Sequence, residues 1–314
     1  MEKIRKDLRN FCAEICLIVF SSSQLMFAGS IPSLIKKNQA YLDEPLPKAR
    51  ISSYSASEDM SQKDLTKILE KCADYCEKLA NLALYYVCSE KIDEEIYWYK
   101  KVWNIHRDMT YVSNKHYKIE KNIYVYDYQV IKKGTNIEES RILLEENGKK
   151  KKEKNADLKS RRFMAVKPVF APVGLLSKYW QNHHRYRVMK EDVIDGHKTL
   201  VIEAMPVTDL KENPNYGKIW VDSNDFSVLK VEMNQESLVN YEYYEKEAAL
   251  FSAMPDITVS TFYGIEKNGI RFPSQIIFKE YYVGGEWKRR IKRSTMIINY
   301  EDYRFFTVEV KVKY

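Results

Sequence analysis

At 314 residues the chain is long enough to bury a full core, in one large all-β domain or in two smaller ones. Its formal net charge of +7 is mild and spread along the chain, so charge gives no argument for a nucleic-acid partner. Tyrosine is abundant, with 24 residues against 10 glycines, a balance that suits pleated, half-buried walls.

The first 28 residues read as an export signal. Lys3, Arg5, Lys6 and Arg9 form a basic start. Ile15–Phe20 and Leu25–Ala28 form a short apolar stretch interrupted by Ser21, Ser22, Ser23 and Gln24, and Ala28-Gly29 is the cleavage point. Retention as a membrane anchor is the alternative, but the apolar run is shorter than the ~20 residues a spanning helix needs. Cys16 lacks the small preceding residues of a lipidation site. Cleavage would leave Cys72, Cys76 and Cys88, an odd number. Buried free thiols suit their setting, with a Cys76–Cys88 bridge as the alternative.

Residues 29–60, with Pro32, Pro45, Pro47 and the serine-rich run Ser52–Ser57, are expected to be a flexible arm. A helix is predicted over 61–83. Ser61 and Asp64 form its capping pair, and Leu65, Ile68, Leu69, Cys72, Cys76, Leu79 and Ala83 share one face. Strands follow at Leu84–Cys88 and Glu94–Tyr99, then a less regular stretch from Trp103 to Val112. Tyr117–Ile131 alternates well, with Tyr124, Tyr126, Tyr128 and Val130 on one face, and Ile137–Glu145 returns after a turn at Lys133-Gly134. Asn147-Gly148 is a further turn. The run Lys149–Lys154 reads as a solvated loop, with contact to anionic lipid headgroups as its functional alternative.

Val169–Trp180 holds more apolar surface than a free loop carries, so it must cover something. Pro168, Pro172 and Gly174 break regular structure at its start, which suits a movable lid. From Arg185 to Gln235 two hairpins are written: Asp195-Gly196 supplies a tight turn, and Ile219 and Val221 alternate with Lys218, Trp220 and Asp222. Asn240–Leu250 is an acidic, tyrosine-rich insertion compatible with a helix. Strands at Ile257–Ile265, Ile270–Val283, Glu286–Ile298 and Arg304–Val312 complete the chain, the first three joined at Asn268-Gly269 and Gly284-Gly285. The expected fold is mainly β with flanking helices: an unclosed antiparallel β-barrel of about 10–11 strands, packed on and covered by α-helices.

Catalytic and metal chemistry find no constellation. His106, His116, His183, His184 and His197 lack partners at ligand spacing, and no strained Gly-x-Ser-x-Gly elbow occurs. The pairs Glu94-Glu95, Glu138-Glu139 and Glu145-Glu146 read as solvated edge charge. The expectation is no enzyme, no cofactor and no metal. What stands out is a set of apolar and aromatic walls around a cavity for a hydrophobic ligand. Leu69 comes from the helix, and Trp98, Tyr126, Tyr128, Leu143, Ile202, Trp220 and Met233 come from strands. Phe170, Leu175, Leu176, Tyr179 and Trp180 come from the covering segment.

Tyr186-x-Val188, Asp195-Gly196, Val201-Ile202-Glu203 with Pro206, and Gly217–Asp222 with Val228–Glu232 resemble the outer-membrane lipoprotein-sorting family, which is similar to the periplasmic lipoprotein carrier. Tyr300-x-x-Tyr303-x-x-Phe306 and Pro273-Ser274 extend the likeness. It covers residues 61–235 best and 257–314 more loosely; the arm and the insertion near 236–256 depart from the compact carrier. The resemblance implies a single half-barrel domain over 61–314 with a LolA-like fold, and a cavity for the acyl chains of a lipid or lipoprotein. It also implies a periplasmic location, transport or sorting toward the outer membrane, and peripheral rather than integral membrane contact. Nucleic acid is no part of it. Relatives of the same fold act as envelope-stress sensors, so the alternative is a protein-interaction or sensor module with an envelope protein partner and a filled cavity.

Overall fold

Apolar residues at every third or fourth position give the described residues their longest helix, and apolar–polar alternation gives them their sheet. The computed structural model describes residues 62–104, 109–133, 136–207, 215–284 and 289–306. The export signal, the arm, the Ser61 cap, the glycines of two expected turns (Gly134, Gly285) and residues 307–312 of the last expected strand lie outside the described residues. Helix α1 spans Gln62–Leu82 and buries Leu65, Cys72, Tyr75, Cys76 and Leu79 along one side. Ala83 caps its end by donating to the Leu79 carbonyl at 2.9 Å.

Strands β1 (Tyr85–Asn104), β2 (Met109–Lys133), β3 (Asn136–Glu146) and β4 (Lys149–Lys154) form an antiparallel meander running out to one sheet edge. The chain then crosses the sheet through residues 155–183. This crossing contains a 3-10 turn at Pro168–Phe170, α2 (Ala171–Leu176) and α3 (Lys178–Gln181). It reaches the opposite edge at β5 (His184–Ile194) and winds back through β6 (His197–Pro206), β7 (Gly217–Asp222) and β8 (Val228–Met233). Helix α4 (Tyr241–Ala249) precedes β9 (Ala253–Phe262), and a small ribbon of β10 (Ile265–Lys267) and β11 (Ile270–Phe272) follows. Strands β12 (Gln275–Gly284) and β13 (Arg289–Phe305) then bring the second meander against β1.

Among the described residues the result is an eleven-stranded antiparallel sheet in the order β4-β3-β2-β1-β13-β12-β9-β8-β7-β6-β5, open at β4 and β5. Asn147-Gly148, Asp195-Gly196 and Asn268-Gly269 all place both residues at positive φ, as tight hairpins demand. The insertion before β9 forms α4, which packs on β9.

Several expectations change. Over the described residues, the strands expected at Glu286–Ile298 and Arg304–Val312 are one, β13, whose pairing to β1 continues through residues 299–301. Leu84–Cys88 and Glu94–Tyr99 belong to one continuous β1, because the charged residues between them alternate faces without breaking the pairing to β2. The lysine run is not a loop: Lys149–Lys154 pairs with β3 as the exposed edge strand β4. The expected strand Ile270–Val283 is cut at Pro273, which has no N–H to give a ladder, so β11 and β12 are separate. Cys72, Cys76 and Cys88 are free and buried, and burial pushes the Cys72 thiol up to about 12.

Candidate functional site: the covered inner face

Period-two alternation puts Ile276, Phe278, Glu280 and Tyr282 of β12 on the same buried face. On β1 that face receives Tyr86, Cys88, Glu90, Ile92 and Glu94, and on β2 it receives Tyr124, Tyr126, Tyr128 and Val130. The 155–183 crossing lies over this inner face, and its two halves are attached differently.

Residues 168–181 form the apolar half. Val169, Phe170, Val173, Leu175 and Leu176 are at most 2% exposed. They share one continuous cluster with Cys72, Cys76 and Leu79 of α1, and with Ile202, Ile219, Val231 and Val259 of the sheet. Most of the polar ties here run to backbone carbonyls of the cover. Tyr263 Oη donates to the Pro168 carbonyl at 2.9 Å, Cys76 Sγ to that of Pro172 at 3.4 Å, and Tyr186 Oη to that of Leu175 at 2.5 Å. Gln181 Nε2 bridges the carbonyls of Leu69 and Leu176 at 2.6 and 2.7 Å. The bonds to Leu175 and Leu176 satisfy carbonyls left open at the end of a short helix.

Residues 156–167 form the charged half. Arg162 Nε donates to Glu280 Oε2 at 3.0 Å and its Nη1 to Glu247 at 2.9 Å. Ser294 Oγ donates to Glu280 at 2.6 Å, and Tyr244 Oη donates to the Arg162 carbonyl. The backbone N–H groups of Arg161 and Arg162 both donate to Glu94 Oε1, at 3.0 and 3.3 Å. A second knot joins Arg141 to Glu90 through Nε at 2.6 Å and Nη2 at 3.1 Å, with Tyr300 Oη on the same carboxylate at 2.9 Å. Arg141 also donates to the Ala165 carbonyl at 3.3 Å, and Lys167 N–H to Glu139 at 2.8 Å. Phe163 stacks on Phe278 with centroids 5.0 Å apart. Burial opposes the charge of both arginines, but Glu280 and Glu247 outweigh it at Arg162, and Glu90 outweighs it at Arg141. Each guanidinium is therefore held protonated.

The wall residues expected from sequence scatter over this layout. Phe170, Leu175, Leu176 and Ile202 meet in the apolar half, with Leu69 and Tyr179 partly buried at its margin. Tyr126, Tyr128 and Leu143 join the same cluster beneath the charged half, where Tyr126 Oη accepts from Lys159 N–H at 3.1 Å and Tyr128 Oη donates to Glu139 at 2.9 Å. Trp98 lies apart, under Arg293 at 4.8 Å and bonded to Glu120 at 3.2 Å. Trp180 is buried against His183 and His184 instead.

Trp220 is not on the inner face at all. Its neighbours Ile219 and Val221 point inward, so it faces out, under Lys230 at 4.1 Å and donating to Asp192 at 3.0 Å. Met233 packs beside the core and also lines a groove of about 500 Å³. That groove sits at the end of β6–β9, with Glu203, Met205, Lys218, Glu232 and Asp256 in its walls.

Sequence reasoning missed the charged residues of the inner face. Glu94 is buried rather than solvated, and Glu139 is half-committed to Arg141 and Lys167. The available signal was parity. Glu90 and Glu94 share a face with Ile92 and Ile96, and Glu280 falls between Phe278 and Tyr282. Among the described residues no group of His, Cys, Asp and Glu could hold a metal ion.

No family model and no curated protein matches the chain. Among solved structures, a LolA superfamily protein from Nitrosomonas europaea is 11% identical, with a TM-score of 0.31 over 78% of this chain and 94% of its own. An outer membrane lipoprotein-sorting protein domain from Vibrio parahaemolyticus is 14% identical, with a TM-score of 0.34 over 78% of this chain and 95% of its own. The MucA–MucB complex of Pseudomonas aeruginosa matches at 8% identity and a TM-score of 0.22, over 78% of this chain and 100% of the matched one. The first two belong to the group that the residue patterns resemble, and at these TM-scores function rests on the geometry of the covered face.

Proposed function

We propose that the protein is an exported, non-catalytic binding protein that takes a lipid, or the acyl chains of a lipoprotein, against the inner face of β6–β9 when residues 168–181 move aside. The supporting observation is the chemistry of that cover: its buried side is apolar except for Ser177, and most of its polar ties end on its own carbonyls. Apolar contacts are non-directional, so an acyl chain can replace Phe170, Leu175 and Leu176 at little net cost. Each buried methylene contributes about 0.8 kcal/mol, before ordering costs. Handing cargo toward the outer membrane is the transport role this reading assigns.

A second reading keeps the fold and drops the ligand: an interaction or sensor module whose inner face stays filled by its own chain. The buried Arg162–Glu280 and Arg141–Glu90 pairs favour it, because they fasten half of the crossing in place. Native mass spectrometry of protein purified from its own envelope separates the two. The carrier reading expects a lipid-sized adduct, and a fluorescent acyl probe that raises amide exchange across 168–181 but not across 156–167. A bare chain that binds no probe and retains a stable protein partner would overturn the carrier reading in favour of the module.

A further inference from the structure

The outer face of β2–β4 carries a chemistry that the inner face does not need. Strand β4 is Lys-Lys-Lys-Lys-Glu-Lys, exposed at every position, on an open sheet edge. Lysines on an edge discourage strand pairing, which accounts for their charge. It does not account for the apolar residues exposed beside them. Tyr124, Tyr126 and Tyr128 face inward, so the odd-numbered residues of β2 face out. Among these, Ile119 is 39% and Ile123 38% exposed, and Tyr117 is 56% exposed. A bulge between Leu143 and Glu145 leaves Leu144 42% exposed.

The two chemistries are adjacent. Asn147, in the β3–β4 turn, donates its N–H to the Ile123 carbonyl at 2.8 Å, and its Oδ1 accepts from Ile123 N–H at 2.8 Å. The lysine run therefore starts two residues from a residue bonded to an exposed isoleucine. Two of the nearby carboxylates are already matched: Lys151 and Lys159 pair with Glu146 at 3.6 and 3.4 Å, and Lys159 pairs with Glu153 at 3.0 Å; a third, Glu145, stands opposite Lys150 in the strand register. Among the described residues no ion pair holds Lys149, Lys150, Lys152 or Lys154.

We infer that this face docks on an anionic lipid surface. Clustered lysines are drawn to anionic headgroups within a Debye length, and aliphatic side chains beside them gain by entering the acyl boundary. The aliphatic component selects a membrane over nucleic acid, whose bases would be held by stacking aromatics and arginines. The inference is independent of whether the inner face takes an acyl chain.

The test is sedimentation of the full chain with phosphatidylglycerol–phosphatidylcholine vesicles and with pure phosphatidylcholine vesicles, across a salt series. The expected result is binding to the anionic vesicles alone, weakening as salt rises. Lys150→Glu/Lys152→Glu/Lys154→Glu should lower it at least about tenfold, with an unchanged melting curve because these side chains are in water. Ile123→Ser/Leu144→Ser should lower it several-fold, and in an otherwise wild-type chain Ile123→Trp should give emission that shifts to the blue on anionic vesicles only. Wild-type protein left in the supernatant with anionic vesicles, or a charge-reversed variant that binds like wild type, overturns the inference. So does lysine-dependent binding that ignores Ile123→Ser/Leu144→Ser and competes fully with heparin, which would make the patch a general polyanion site.

Discussion

The two halves of the crossing cover one face of one sheet, yet residues 156–167 are held by buried charge and residues 168–181 by buried hydrocarbon. Lifting the first half would strand Glu94 and Glu280 in a site built for their partners. Lifting the second exposes carbon that any apolar surface can cover again. Buried ion pairs are directional and costly to break, whereas apolar contacts are exchangeable. A fold that must open for a greasy ligand and still keep its shape gains from having one half of each kind.

The largest effect should come from breaking a charged knot on one side only. Arg162→Ala leaves Glu280 buried without its counter-ion and should cost about 3–5 kcal/mol in a urea titration. Replacing both partners, Arg162→Met with Glu280→Leu, should recover much of that loss, since no lone charge remains. A cost below about 1 kcal/mol for Arg162→Ala, the range of exposed pairs, would show that the knot does not fasten the crossing.

On the apolar side, Leu175→Ala should cost about 2–5 kcal/mol, as large-to-small changes in packed cores do. The sharper readout is local. Amide exchange should quicken across 168–181 while 156–167 keeps its protection, because separate parts of a structure can open with separate free energies. Equal acceleration over both halves would make the crossing a single unit and erase the distinction.

Much of this architecture was legible because strands have a period of two and tight hairpins need residues that accept positive φ. Tyr124, Tyr126, Tyr128 and Val130 declared their face, and Asn147-Gly148 and Asp195-Gly196 declared their turns. The apolar excess of Val169–Trp180 declared a cover. The charged knots were not legible, since residue type and position disagreed. Parity put Glu90, Glu94 and Glu280 inside while their charge argued for solvent. The partners that resolve the conflict lie 51 residues away for Glu90 and Arg141, and 118 for Arg162 and Glu280. No local pattern announces a pairing of that span. Trp220 failed in the opposite way: its bulk suggested a wall, although its alternation with Ile219 and Val221 already placed it outside.

The cysteines offer a built-in comparison of the two halves. Cys72 and Cys76 lie on α1 beneath the apolar cover, and Cys88 lies on β1 near Glu90 and Arg141. Burial pushes the Cys72 and Cys88 thiols up, so neither reacts until its surroundings open. In native buffer a small alkylating reagent should modify Cys72 and Cys76 at least about tenfold faster than Cys88, a difference of roughly 1.4 kcal/mol in opening free energy. Rapid modification of all three in folded protein would contradict their placement, and a faster Cys88 would reverse the order of the halves.

The smallest expected effect is a change in acid sensitivity. Glu247 closes the charged half by accepting from Arg162 Nη1 at 2.9 Å, Arg293 Nη2 at 3.4 Å and Tyr282 Oη at 3.1 Å. Burial works to raise its carboxyl, but Arg162 and Arg293 outweigh that and hold it below its ordinary 4.5. Between that lowered value and 4.5 the unfolded chain binds more protons than the folded one, so stability rises with pH. The contribution of Glu247 is therefore complete above about pH 4.5 and is lost as pH falls through the lowered folded value. Glu247→Gln cannot titrate and should flatten the acid limb of a stability–pH profile by roughly 1 kcal/mol or less, since the group is partly solvated. The limb should not vanish, because Asp192, held down to about 2 by Trp220 and Lys190, still titrates on the outer face. Leu175→Ala should lower the whole profile and leave its acid slope as in wild type, because nothing that ionises holds that side chain in place. A slope that changes with Leu175→Ala and not with Glu247→Gln would mean that charge, not hydrocarbon, seals the 168–181 cover.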